Sequence, residues 1–65
     1  MKLQLNGDVI DTSATTLTVF LAENGYENAT VATAVNGTFV PAPDRDRQPL
    51  ADGDLVEVLA PMQGG

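Results

Sequence analysis

Apolar and polar residues alternate at the start of the chain. Leu3 and Leu5 alternate with polar neighbours, and a second short run at 9–12 follows the pair Asn6-Gly7. A period of two is typical of a strand with one buried face, and Asn-Gly is favoured in two-residue hairpin turns because both residues tolerate positive φ. The pattern therefore predicts an N-terminal β-hairpin.

The apolar spacing then becomes that of a helix, at Leu17, Phe20 and Leu21. Thr15 or Thr16 can provide an N-cap hydroxyl, and Gly25 is a common type of C-terminal stop. We therefore predict one amphipathic helix from about 17 to 24. Because so short a helix is not stable in isolation, we expect its apolar face to pack against a sheet.

The middle of the chain favours a second pair of strands. Residues 30–36 alternate between small side chains and the β-branched side chains of Val31, Thr33 and Val35. Gly37 turns the chain, and 38–40 can pair briefly before the prolines at 41 and 43 remove two backbone donors. We expect the following segment, 44–49, to be a polar loop.

The last strand is predicted at Leu55–Leu59, after an Asp-Gly-Asp turn at 52–54. If Glu57 faces solvent, both valines of this strand point toward the helix and both leucines, Leu55 and Leu59, lie on the outer face. These two leucines are candidates for a partner surface. Isolated surface leucines are also common without any function.

The predicted element order is β, β, α, β, loop, β. This order favours an α+β fold in which one helix packs on one face of a mixed sheet. A chain of 65 residues has room for one domain and little room for an enclosed active site. We expect a single domain at 1–60 and a flexible C-terminal tail at 61–65.

Composition excludes several function classes. The sequence has no cysteine and no histidine, so it lacks disulfides, thiolate metal sites and the usual neutral-pH base. A formal net charge of −6 disfavours contact with phosphate backbones, and no apolar run approaches the length of a membrane span. We therefore expect a cytoplasmic protein without catalytic residues, not an enzyme, that binds neither nucleic acid nor membranes.

Paired carboxylates do not amount to a metal or acid–base site. Residues 44–49 begin like a calcium loop, but Gln48 and Pro49 occupy the positions where such a loop needs an oxygen ligand and a turn-permitting glycine. Asp52 and Asp54 flank a turn glycine, where short acidic side chains stabilise the backbone. We predict no metal ligand among them.

The sequence finishes with Pro61-Met62-Gln63-Gly64-Gly65. A carboxylate becomes electrophilic once a partner enzyme converts it into an acyl adenylate, and two residues without Cβ fit a narrow channel. Pro61 provides a stiff exit from the last strand. A frayed end is the purely structural alternative for the two glycines.

Three motifs occur in a characteristic order: AVNGTFVP at 34–41, LADGDLVEV at 50–58 and PMQGG at 61–65. With the Asn6-Gly7 hairpin, they resemble the ThiS family of sulfur carriers in thiamine biosynthesis over nearly the whole chain. The resemblance implies a ubiquitin-like β-grasp fold. Segment 42–49 departs from the family, which often has a basic residue and an aromatic there, so we expect different loop contacts.

The resemblance also implies a mechanism. An adenylating enzyme of the ThiF type, similar to ubiquitin-activating enzymes, would use ATP and magnesium to activate Gly65, and the carrier itself would bind no cofactor. Sulfur from a cysteine desulfurase relay would replace the adenylate and leave a thiocarboxylate, which a thiazole synthase of the ThiG type would consume. Gly64, Gln63 and Met62 would give the partners access to the modified residue, and Leu55 and Leu59 would belong to the docking surface.

Three alternatives share the fold or the tail. A ubiquitin-like modifier would attach Gly65 to lysines of target proteins, and Lys2 is this chain's single lysine. A sulfur carrier for another pathway, such as molybdopterin synthesis, would use the same thiocarboxylate. A structural or adaptor β-grasp domain would use its sheet face and would not need the terminal glycines.

Overall fold

The computed structural model describes residues 1–60. Its elements in chain order are β1 (Lys2–Leu5), β2 (Asp8–Asp11), α1 (Leu17–Glu23), β3 (Ala32–Val35), β4 (Thr38–Val40), a 3-10 helix (Ala42–Arg47) and β5 (Leu55–Leu59). The tail predicted at 61–65 lies outside the described residues.

The five strands form one sheet in the order β2-β1-β5-β3-β4. Strand β5 pairs parallel with β1 and antiparallel with β3, and both hairpins are antiparallel. The sheet is therefore mixed, and the last strand of the chain lies at its centre. The predicted α+β class, with one helix packed on one face of a mixed sheet, is confirmed.

Helix α1 forms where the sequence predicts it, and local chemistry sets its ends. The Thr16 hydroxyl accepts a hydrogen bond from the Val19 amide at 3.5 Å, and the chain leaves the helix through Gly25 at φ 87°. The helix supplies Leu17, Phe20 and Leu21 to the core, which they share with Leu3, Ala14, Val35, Val40, Val56 and Val58. The core thus lies between α1 and one face of the sheet.

Both Asn-Gly pairs form the hairpin turns that their positive φ values permit. Asn6 and Gly7 have φ of 50° and 90°, and Asn36 and Gly37 have 51° and 82°. These angles are those of a type I′ turn, whose twist matches that of the flanking strands. The N-terminal hairpin prediction is confirmed.

The predicted polar loop at 44–49 is wrong in part, because a 3-10 helix covers Ala42–Arg47. Prolines that fix φ near the helical value favour such a turn at its first residues. The turn is closed by the Asp44 amide, which donates to the carbonyl of Pro41 at 2.9 Å. Contacts from Arg45 then hold the segment against β3, as described below.

Candidate functional site: the open face of the sheet

The face of the sheet opposite α1 carries exposed apolar side chains. Strand β5 alternates strictly: Val56 and Val58 are buried, whereas Leu55 and Leu59 remain 46% and 65% exposed. The predicted orientation of this strand is therefore confirmed. We call this surface, opposite α1, the open face.

Strand pairing extends the open face on both sides of β5. Glu57 lies opposite Ala34, which lies opposite Phe39 on β4, and on the other side Leu55 pairs with Gln4, which pairs with Val9 on β2. Two of these residues are large, apolar and well exposed, Val9 at 66% and Phe39 at 64%. The sequence interpretation missed both, since only the strand register shows that they share a face with Leu55 and Leu59.

The two asparagines of the hairpin turns hold β5 from opposite sides. The Asn6 carboxamide donates from Nδ2 to the Val58 carbonyl at 3.1 Å and accepts at Oδ1 from the Val58 amide at 2.9 Å. The Asn36 carboxamide accepts from the Leu55 amide at 3.0 Å and donates to Asp54 Oδ1 at 3.0 Å. These side chains thus take the place of strand neighbours where β1 and β3 end.

Arg45 fastens the 3-10 helix to the start of β3. Its Nε donates to the Thr33 hydroxyl at 3.0 Å and its Nη2 to the Val31 carbonyl at 2.6 Å. The Thr33 hydroxyl, which is buried, donates in turn to the Val40 carbonyl at 2.8 Å. This network fixes β3 beside the end of β5, because Thr33 pairs with Val58.

The turn before β5 is fixed by its two aspartates. Asp54 Oδ2 accepts from the Ala51 amide at 2.8 Å, which is the local bond the sequence predicts. Asp52 instead reaches across to β1, where its Oδ1 accepts from the Lys2 amide at 2.7 Å. Both carboxylates therefore have structural roles in positioning β5.

Not every predicted site residue falls within the described part of the chain. Leu55 and Leu59 lie together on the open face, whereas Met62, Gln63, Gly64 and Gly65 lie outside residues 1–60. Within residues 1–60, no group of three or more acidic side chains is arranged to hold a metal ion. No helix in this range has the length and apolar character needed to cross a membrane.

Comparisons with known proteins agree on one family. The model of the ThiS family matches residues 3–65. The sulfur carrier protein ThiS of Thermus thermophilus is 44% identical over 64 residues, which cover 94% of this chain and 95% of that protein.

Two solved structures are also similar. The crystal structure of the thiamine biosynthesis protein ThiS from Geobacter metallireducens has a TM-score of 0.82 at 29% identity, with all of both chains covered. The NMR structure of a thiamine biosynthesis protein from the same organism has a TM-score of 0.78 at 30% identity, covering 100% of this chain and 88% of that one. The ubiquitin-like β-grasp fold expected from the sequence is confirmed.

Proposed function

The chain belongs to the ThiS family, and from this membership we propose that it carries sulfur for thiamine biosynthesis as a thiocarboxylate on Gly65. The observation that carries the proposal is the 44% identity to a sulfur carrier over nearly the full length of both chains. The family match extends to Gly65 and so includes both terminal glycines. As a small sulfur carrier, the protein leaves catalysis to its partners.

The proposed chemistry starts with an unreactive group. In the first step, the Gly65 carboxylate attacks the α-phosphorus of ATP, which forms an acyl adenylate and releases pyrophosphate. In the second step, the outer sulfur of a persulfide from a cysteine desulfurase relay displaces AMP and forms an acyl disulfide. A thiol of the partner enzyme then attacks the inner sulfur of that acyl disulfide, which releases the thiocarboxylate and leaves a disulfide on the partner. Both steps take place in an adenylating enzyme of the ThiF type, which supplies the magnesium, and a thiazole synthase of the ThiG type then takes the sulfur.

The fold supports this division of labour. The sequence that carries Gly65 follows directly after β5, which is paired on both sides and held by Asn6 and Asn36. A fixed exit point lets a partner that grips the domain locate the reacting carboxylate. Positioning of this kind can account for much of the rate gain in a bimolecular reaction.

The open face is the surface that we propose the partners bind. Among residues 1–60, four large apolar side chains are exposed there: Val9, Phe39, Leu55 and Leu59. Exposed apolar clusters in small proteins mark interaction sites more often than isolated residues do. Because activation consumes ATP, we also propose that the protein works in the cytoplasm.

Intact-mass measurement of the untagged protein purified from its native host tests the proposal. We expect a fraction whose mass has increased by the difference between sulfur and oxygen, and the increase should disappear when the adenylating enzyme is deleted. Target peptides bearing a Gly64-Gly65 remnant on lysine, without any mass-shifted carrier, would replace this proposal with a protein modifier. If neither the mass-shifted carrier nor such target peptides were found, the result would favour an adaptor domain.

The recipient pathway needs its own experiment. A strain that lacks this protein should require thiamine, and its thiazole precursor should restore growth. A strain that instead loses molybdopterin-dependent activities while growing without thiamine would assign the carrier to the other pathway.

A further inference from the structure

Glu57 is a single carboxylate in the middle of the open face. It belongs to the central strand β5, between the exposed leucines at 55 and 59, and lies directly opposite Ala34. Ala34 is small, so the carboxylate has no large neighbour on the β3 side. The arrangement puts a charge among the exposed apolar side chains of Leu55, Leu59 and Phe39.

Two shallow hollows flank Glu57, which lines both. One lies toward the first hairpin, over Gln4 and Gly7, and the other lies toward the second hairpin, beside Ala34 and Phe39. A partner side chain that enters either hollow therefore lies next to Glu57. Glu57 is the feature that the two hollows share.

The Glu57 carboxylate forms no ion pair within residues 1–60. In residues 1–60, the two ion pairs join the Met1 ammonium to Asp11 and Arg47 to Asp44, and neither involves the Glu57 carboxylate. In the free protein, water solvates this exposed group. A docked partner would remove that water, and burying an unpaired charge is strongly unfavourable.

From this geometry, and resting on the function proposed above, we infer that the adenylating enzyme presents an arginine to Glu57 from within an otherwise apolar docking surface. A guanidinium is weakly hydrated, binds a carboxylate through two parallel hydrogen bonds and is enriched at the cores of interfaces. The carrier's net charge of −6 also favours a partner surface of positive charge. Glu57 would thus determine specificity, since an apolar surface without a cation would be rejected.

Replacement of Glu57 by an apolar residue separates this inference from simple apolar docking. If the partner surface is purely apolar, Glu57→Leu removes a desolvation penalty and binding tightens or stays the same. If an arginine faces Glu57, the same variant leaves that arginine buried and unpaired, and the Kd rises at least about tenfold. Glu57→Gln, which keeps the shape and loses the charge, should weaken binding in the same direction.

The measurement is the Kd between the full-length carrier and the adenylating enzyme of the same organism, determined by calorimetry. Glu27→Leu is the matched control, because Glu27 is also exposed but lies beside the groove next to α1. We expect it to retain the wild-type Kd to within about threefold. Thermal melts of all variants establish that each one is folded.

The possible outcomes distinguish a failure of this inference from a failure of the proposed function. If the Glu57→Leu carrier binds as tightly as wild type, or more tightly, no arginine of the partner pairs with Glu57. The proposed sulfur-carrier function would be unaffected by that result. A wild-type carrier that the adenylating enzyme neither binds nor activates overturns the proposed function and this inference with it. Weaker binding of both Glu57 variants, with Glu27→Leu unchanged, supports the inference.

Discussion

Asn6 and Val58 are separated by 52 positions in the chain, yet the carboxamide of Asn6 bonds to both backbone groups of Val58, at 3.1 and 2.9 Å. Strand β1 stops pairing with β5 at Val56, so without Asn6 the next amide and carbonyl on this side would lose their partners. A single side chain therefore extends the pairing of β5 toward its C-terminal end. The tail that carries the proposed reaction begins three residues later, at Pro61.

Replacing Asn6 with glycine should loosen this end of β5. Glycine tolerates the φ of 50° at this turn position, so the variant removes the carboxamide without adding backbone strain. Loss of two hydrogen bonds should lower the free energy of unfolding by about 1–3 kcal/mol. Amide hydrogen exchange should accelerate at Val58, whose N–H donates to the Asn6 side chain.

Asn36→Gly is the matched control for that experiment. Asn36 has the same turn position and nearly the same φ, 51°, but its carboxamide binds the Leu55 amide. Exchange should therefore accelerate at Leu55 in this variant and at Val58 in the other. The same exchange pattern in both variants would contradict the view that each asparagine holds its own end of β5.

Arg45 should contribute to stability through the geometry of its guanidinium. Arg45→Lys keeps the positive charge but cannot bind the Thr33 hydroxyl and the Val31 carbonyl together. The expected decrease in the free energy of unfolding is about 1–3 kcal/mol, measured by urea denaturation.

The neighbouring arginine provides the control for Arg45. Arg47 makes one exposed ion pair, with Asp44 at 3.4 Å. Surface pairs of this kind contribute little, so Arg47→Lys should leave the urea midpoint nearly unchanged. Equal losses at both positions would mean that the Arg45 hydrogen bonds are not the cause.

Local patterns in the sequence predicted the elements, but not where the strands lie in the sheet. Asn6-Gly7 predicted a turn and Thr16 a helix start because each effect acts within a few residues. No local signal places β5 between β1 and β3, since that arrangement depends on pairings such as Val35 with Val56. The β-grasp topology was expected only through the family resemblance.

The residues of the candidate site were likewise predictable only where a local pattern reveals them. Alternation around Glu57 was enough to place Leu55 and Leu59 on the outer face. Recognising Phe39 as part of that face requires its pairing with Ala34, which is a tertiary fact. Arg45 lies in the segment that the sequence predicts as a polar loop. Its structural role was not predictable, because one of its acceptors, the Val31 carbonyl, is a backbone group that no sequence pattern reveals.

Substitutions at Leu17 and Leu59 should differ in their effect on stability. Leu17 is completely buried in the core, so Leu17→Ala should lower the free energy of unfolding by about 2–5 kcal/mol. Leu59 is 65% exposed, and the same substitution there should cost less than about 1 kcal/mol. Urea denaturation of both variants measures the difference, and similar losses would contradict the assigned burial.

Leu59 should matter for binding to the partner even though it contributes little to stability. If the open face docks on the adenylating enzyme, Leu59→Ala should raise the KM for the carrier in adenylate formation by about five- to thirtyfold. Val19→Ala is the control, because Val19 is 46% exposed on α1, away from the open face. A KM that rises for Val19→Ala and not for Leu59→Ala would move the docking surface to the helix side.

Deletion of Gly65 should abolish activation without affecting the domain. The shortened chain ends at Gly64, so its carboxylate reaches one residue less far, about 3.5 Å, into the adenylating site. A displacement of that size removes the alignment that in-line attack on ATP requires. ATP–pyrophosphate exchange should therefore fall to background, while the thermal midpoint stays within about 1 °C of wild type because residues 1–60 are unchanged. Full exchange activity in the shortened protein would show that Gly65 is not the activated residue, and both the carrier and the modifier functions would then fail.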